Sequence, residues 1–311
     1  MTITHQRGDF SVPRPDAPLS GMFPILATPM HDDESIDTKS LSRLIDYCIE
    51  EGVDGLVTLA NASEAHLMSD AEKQRLAADV LQFVDGRVPV VLSITHFNAR
   101  IAAEKAARAE KDGAAAVLTL PPFFGRWRSG PDDIVKYLKQ IADACSLPII
   151  LQDHPLTDII LKPGELCAII EAIPTLDYLK MEIDTTPVKI RDVIRQASGR
   201  FRGIFTGMGG IRLFWELEAG AVGCMPSSIP ARSLADIIHL HWEGRREESF
   251  ELFRRWLPFL NFTVQLGRRD VVKQYLRDKG IISTAVLREP NLTAWNDWTR
   301  EQYDDLITRC E

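Results

Sequence analysis

The sequence predicts an α/β protein, a (β/α)8 TIM barrel with a C-terminal helical extension, and three observations carry that prediction. Eight short apolar runs recur along the chain at intervals of roughly 20 to 35 residues, the spacing of strand–helix units. Stretches of amphipathic helical period separate the runs, as crossovers between parallel strands require. The first run is followed by Thr28, Pro29, Met30 and His31, with no glycine among them. An open doubly wound sheet, the alternative for this rhythm, usually carries a Gly-rich phosphate loop at that point. Eight parallel strands are the number that closes a barrel.

The apolar runs are 24–28, 55–60, 89–94, 115–120, 148–152, 176–182, 201–207 and 221–226. Between them, 40–51 places Leu41, Leu44, Ile45 and Cys48 on one helical face. A helix over 70–84 opens on Ser69 with Glu72 three residues later, a capping-box signature. A helix over 98–112 places Ala102, Ala103, Ala106, Ala107 and Ala109 along it and stops at Gly113. Pro131, Pro163, Pro187 and Pro230 fall near the first turns of later helices, where a missing N–H costs little. Beyond Trp242 only helical stretches remain, at 246–266, 270–279 and 298–309. The expected organisation is a tail over 1–21, a barrel over 22–242 and a helical extension over 243–311 packed on the barrel.

Lys and Arg number 36 against 44 Asp and Glu, a net charge of −8 that argues against a nucleic-acid or anionic-membrane binder. It leaves an anionic small molecule open, because such a ligand meets the local field of a site. At 45% hydrophobic and 26% charged, a chain this long can bury a core without metal or disulfide support. No apolar run approaches the roughly 20 residues of a membrane span, and 1–20 lacks the apolar centre of a secretory signal. The five cysteines are odd in number and set mostly among apolar residues. That pattern reads as reduced thiols of a cytoplasmic protein. No close His or His/Glu spacing occurs, so no metal is expected.

Chemistry in such a barrel sits where strands end. Those ends supply Asn61, Ala62, Ser63 and Glu64 after the second run and Thr95 and His96 after the third. Phe123 and Phe124 follow the fourth, and read as a hydrophobic wall or a subunit contact. Gln152, Asp153 and His154 end the fifth, and Lys180 and Glu182 the sixth. Gly207 and Met208 open a Gly-rich turn after the seventh, whose amides could approach an anion. Lys180 stands apart, a lysine inside an apolar strand. Period-two alternation puts Leu179, Met181 and Ile183 on the face toward the helices and Tyr178, Lys180 and Glu182 on the inward face. A lysine buried there is poorly solvated as an ammonium ion and offers an amine to a carbonyl. From the residues alone, a structural ion pair of Lys180 with Glu182 or Asp153 stays open.

With a lysine on the sixth strand and a polar loop after the second, the sequence resembles the dihydrodipicolinate synthase/N-acetylneuraminate lyase family from about Met22 onward. The segments that carry the resemblance are 24–29 (PILATP), 52–57 (GVDGLV), 120–124 (LPPFF), 148–151 (PIIL) with Pro155, and 178–182 (YLKME). Gly280, Ile281 and Ile282, then Arg288, Glu289 and Pro290, resemble the family's C-terminal region. The resemblance implies a class I aldolase-type lyase, with Lys180 forming a Schiff base with a 2-oxo acid such as pyruvate. It also implies a homo-oligomer, dimer or tetramer, and no cofactor. Asn61, Ala62 and Ser63 match the loop that holds the oxo-acid carboxylate, but Ala62 lacks the hydroxyl expected there.

Other departures fall on the proton relay. Gln152 stands where the family carries a proton-shuttling tyrosine, and an amide cannot exchange a proton at neutral pH as a phenol can. Phe124 replaces the second tyrosine of a pair, and Leu156, Thr157 and Asp158 stand where an arginine is expected. These changes argue against an ordinary dihydrodipicolinate synthase. Glu182, His154, Asp153 and Tyr178 are the available replacement acids. The expected function is cleavage, condensation or dehydration of a 2-oxo acid at Lys180. One alternative is an impaired barrel that binds an oxo-acid or sugar-acid ligand. The other is a cofactor-using barrel with a phosphate at the 207–210 turn.

Overall fold

The computed structural model describes residues 16–124, 127–197, 201–291 and 295–311, so the expected tail lies outside it as far as residue 15. Eight parallel strands form one curled sheet: β1 (Gly21–Met22), β2 (Leu56–Thr58), β3 (Val90–Ser93), β4 (Ala116–Thr119), β5 (Ile149–Asp153), β6 (Leu176–Met181), β7 (Gly203–Thr206) and β8 (Gly223–Cys224). Their order is β1-β8-β7-β6-β5-β4-β3-β2. Ile25 closes the ring, bridging in parallel to Val57 on one side and to Ser227 on the other. The first wall segment thus differs from the expected run 24–28. Its ladder lies at Gly21–Met22, paired with Gly223 and Cys224, and Pro24 has no N–H to offer on the β2 side. Phe23 and Ile25 still donate to the Cys224 and Pro226 carbonyls at 2.9 and 2.8 Å, and Leu26 donates to Val57 at 2.9 Å.

Alternation along the strands sorts the apolar side chains into two cores. Phe23, Ile25, Val57, Val91, Leu118, Ile150, Tyr178 and Phe205 fill the barrel interior, joined by Leu19 from before the first strand. Leu56, Leu92, Val117, Leu151, Leu179, Met181 and Ile204 face outward and pack with the helices. The helices are α1 (Thr38–Glu50), α2 (Asp70–Val84), α3 (Ala99–Asp112), α4 (Pro131–Ala142), α5 (Pro163–Ala172), α6 (Thr186–Gln196), α7 (Leu213–Glu218) and α8 (Ala231–Trp242). The capping box on α2 is formed: Ser69 N–H donates to Glu72 at 2.8 Å, and Glu72 N–H returns to Ser69 Oγ at 3.2 Å. Asn98 caps α3, accepting from Ile101 N–H at 3.2 Å, and Gly113 ends it at φ 93°. Pro131 and Pro163 begin α4 and α5, Pro187 lies in the first turn of α6, and Pro230 sits one position outside α8.

The extension consists of α9 (Arg246–Phe262), a π-helical turn (Thr263–Gly267), α10 (Arg268–Asp278) and α11 (Asp297–Cys310). The helix expected over 246–266 therefore ends in a wider turn. Phe253, Phe259, Leu260, Tyr275, Leu276 and Tyr303 join the outer core of the barrel. Among the described residues, no helix is long and apolar enough to cross a membrane.

Candidate active site

Lys180 lies on the inward face of β6, one pleat above Tyr178, and is 1% exposed. Glu182 continues the strand direction, its N–H donating to the Asp153 carbonyl at 2.9 Å. Two residues on, it therefore returns to the same face as Lys180. Its Oε2 lies 3.3 Å from Lys180 Nζ, and the carboxylate is 5% exposed. The neighbouring strand pairs Gln152 with Lys180, and the Gln152 amide donates to the same Oε2. The opposite oxygen, Oε1, accepts from Met208 N–H at 2.9 Å. Burial opposes ionisation of Glu182. The Lys180 ammonium, foremost, with the Met208 N–H and the Gln152 amide, overcomes it and holds the carboxyl below the usual carboxylate value.

Gly207 makes this contact possible. A Cβ at that position would lie 2.1 Å from Glu182 Oε1, so only glycine leaves room for the carboxylate. The amide of Met208, expected as a donor to a substrate anion, is engaged by Glu182 instead. His154 completes the cluster from the end of β5. Its Nδ1 accepts from Leu156 N–H at 2.9 Å, which places the proton of the neutral ring on Nε2. That nitrogen faces Glu182 Oε2 at 3.9 Å, and burial holds the imidazole below its ordinary pKa.

Above the cluster opens a cavity of about 960 Å³, bordered at the barrel mouth by Asn61, Thr95, His96, Phe97, Phe123, Gln152 and His154. It runs outward between α2 and α3, past Lys73 and Arg100. Of the three residues expected to hold a carboxylate, Asn61 borders this cavity. Ser63 is buried, its hydroxyl donating to the Leu26 carbonyl at 2.8 Å, and Ala62 is half-buried. The side chain of Phe124 lies outside the described residues.

Three expected candidates are placed elsewhere. Asp153 points outward and pairs with Lys189 of α6 at 2.5 Å; burial raises its pKa, with Lys189 opposing. Tyr178 lies deep in the barrel, where its hydroxyl accepts from Leu19 N–H at 3.1 Å. Glu64 turns away from Lys180 to pair with Lys273 of α10 at 2.6 Å. Lys189 and Lys273 are buried lysines that sequence reasoning passed over. The signal was available for Lys189, which lies on the buried stripe of α6 with Thr186, Ile190 and Val193. Among the described residues, no group of three His, Cys, Asp or Glu side chains is placed to hold a metal ion.

Comparison with known proteins identifies the family of the chain. The model of the dihydrodipicolinate synthetase family matches residues 18–309. L-2-keto-3-deoxyarabonate dehydratase of Azospirillum brasilense is 31% identical over 271 residues, 87% of this chain and 88% of that protein. The crystal structure of dihydrodipicolinate synthase from Rhodopseudomonas palustris superposes with a TM-score of 0.86 at 30% identity, covering 94% of this chain and 97% of that one. The prophage protein YagE of Escherichia coli K12, solved in complex with pyruvate, shares the fold at a TM-score of 0.87 and 22% identity, over 94% of this chain and 99% of its own. The chain belongs to the dihydrodipicolinate synthetase family and is an enzyme of the lyase class.

Proposed function

We propose that this enzyme dehydrates a 2-oxo acid through a Schiff base on Lys180, with Glu182 as the group that moves the proton. The observation that carries the proposal is the buried pair of Lys180 Nζ and Glu182 Oε2 at 3.3 Å on the inward wall of β6, next to Gln152 and His154, which line the cavity. Lys180 gives its extra proton to Glu182 and attacks the C2 carbonyl. Glu182 returns that proton to the departing oxygen, which leaves as water with a second hydrogen from the amine and frees Glu182 to act again. The resulting protonated imine draws electrons and acidifies the C3–H bond. Glu182 takes the C3 proton, giving an enamine, and the enamine expels a hydroxyl from C4 with a proton, as a second water. Hydrolysis of the imine consumes one water and frees Lys180, so the net change is loss of one water from substrate.

Dehydration is favoured over carbon–carbon cleavage because C3 is two bonds from the imine nitrogen, within reach of a carboxylate that touches that nitrogen. The Azospirillum relative is also named as a dehydratase. Gln152 in place of a tyrosine speaks against ordinary dihydrodipicolinate synthesis, since its amide orients Glu182 and carries no exchangeable acid proton. Asn61 is the side chain best placed to meet the oxo-acid carboxylate, from the turn after β2. We also infer a homo-oligomer, dimer or tetramer, to be counted by sedimentation. Phe97 and Leu156 stand exposed beside the cavity, where a second subunit would cover them. All five cysteines are free thiols, which fits a reducing cytoplasm.

Borohydride reduction in the presence of pyruvate or a longer 2-oxo acid tests the reading. Intact-mass spectrometry is expected to show one adduct, which peptide mapping places on Lys180. An unchanged mass across a panel of oxo acids would overturn it. That outcome favours a barrel that binds an oxo-acid or sugar-acid ligand without turnover, the reading to which the missing tyrosine otherwise points.

A further inference from the structure

The turn after β2 is held by residues from the far end of the chain. Leu59 and Glu64, at φ 61° and 59°, bracket residues 60–63 in the left-handed region that ordinary side chains avoid. Such backbone persists where its surroundings over-determine it. Glu64 is 0% exposed and Lys273 of α10 is 1% exposed, and their Oε1 and Nζ lie 2.6 Å apart. Glu64 Oε2 also accepts from Arg288 N–H at 3.0 Å, and Lys273 donates to the Val286 carbonyl at 2.6 Å. The Arg288 guanidinium reaches past the turn, donating to the Leu67 carbonyl at 3.0 Å and the Glu34 carbonyl at 2.8 Å, and pairing with Glu72.

A buried ion pair is a poor source of net stability, because both charges lose water. What it supplies is a single geometry, since either charge left alone in that site is strongly disfavoured. The turn so fixed is the one that carries Asn61 to the cavity. We infer that the Glu64–Lys273 pair, with the Arg288 backbone, is a positioning device by which the C-terminal extension sets the Asn61 turn for the carboxylate of the substrate. The inference rests on the oxo-acid reading above. It makes Glu64 and Lys273 positioning residues that act through the turn and touch no reacting atom.

The test compares the wild type with Lys273→Met, Glu64→Gln and the double variant, each checked for native near-ultraviolet circular dichroism. Glu64→Gln keeps the size of the side chain and its acceptor for Arg288, so it serves should Lys273→Met fail to fold. The pyruvate concentration for half-maximal borohydride trapping is expected to rise about ten-fold in each single variant, while the trapping rate at saturation changes by less than about three-fold. The double variant, which buries no unpaired charge, is expected to recover part of that loss. Hydrogen–deuterium exchange of the peptide spanning 59–64 is expected to quicken in the single variants, with the strands unchanged.

Folded single variants whose half-trapping concentration and 59–64 exchange stay within about two-fold of wild type would overturn the inference. So would a parallel loss of apparent affinity and saturating rate, the mark of general disruption. If wild type traps no oxo acid, the functional reading fails by itself and exchange decides the positioning: faster exchange confined to 59–64 supports it, and unchanged exchange removes it.

Discussion

Two residues apart on one strand, a lysine and a glutamate share a face and differ by one pleat. In this barrel that spacing brings Glu182 Oε2 to 3.3 Å from Lys180 Nζ, while Met208 N–H and the Gln152 amide fix the carboxylate from either side. A carboxylate held in this way stays ionised, as the proposed base must. Glu182→Gln keeps the shape and one acceptor but cannot take a proton, so turnover is expected to fall by about two to four orders of magnitude. Trapping of an oxo acid on Lys180 is expected to persist, because imine formation needs the amine more than the base; stopped assays with and without borohydride separate the two. Because its neighbours hold the Glu182 carboxyl below the usual value near 4.5, this group is expected to impose no acid limb on kcat until pH falls below that value. A limb near neutrality that survives in Glu182→Gln would assign the titration elsewhere.

Each functional turn after a strand has its own device. The β7 turn depends on glycine: Gly207 admits Glu182, and a Cβ on Gly209, at φ 62°, would lie 2.5 Å from Val264 in the π-helical turn of the extension. Gly207→Ala is expected to displace Glu182 from Met208 N–H and lower kcat by about ten-fold or more, with Lys180 still trappable. An unchanged kcat would show that Glu182 has a second resting place. The β6 cluster was legible in the sequence because Lys180 and Glu182 interrupt an apolar run with the correct period. Gln152 was legible as the residue that ends the fifth run where the resembled family carries a tyrosine, and the fold by its eight runs. The clamp on the β2 turn was not. Glu64 reads locally as a loop carboxylate, and Lys273 reads as one more lysine on a charged helix. Their meeting is decided by how α10 packs, which local periodicity does not encode. The first strand was misplaced by a few residues because apolarity marks a wall segment but does not show which of its residues pair in the ladder.

Across the whole molecule, two buried carboxyls respond to pH in opposite senses: Glu182 is lowered and Glu216 raised. Glu216 of α7 is buried, and desolvation raises its pKa from an ordinary value near 4.5 to about 7, with Arg212 at 3.4 Å opposing. The folded protein therefore holds a proton there that the unfolded chain releases between about pH 4.5 and 7. The stability associated with that proton is complete below about 4.5 and is lost as pH rises through about 7. Glu216→Gln, which keeps the group neutral, is expected to flatten the fall in thermal midpoint across that window. A slope identical to wild type would place the titration on another group.

The clamp on the β2 turn also fixes an order of events in the life of the chain. Arg288 and Glu64 are 224 residues apart, and Lys273 belongs to the same late segment. A ribosome releases the β2 turn long before it releases its partners, and segments emerge and collapse in that order. Lys180 is made before α10 and Arg288, so the clamp on the β2 turn can form only after both have emerged. On the proposed reading, the nascent chain carries its amine before the Asn61 turn is clamped for an oxo-acid carboxylate.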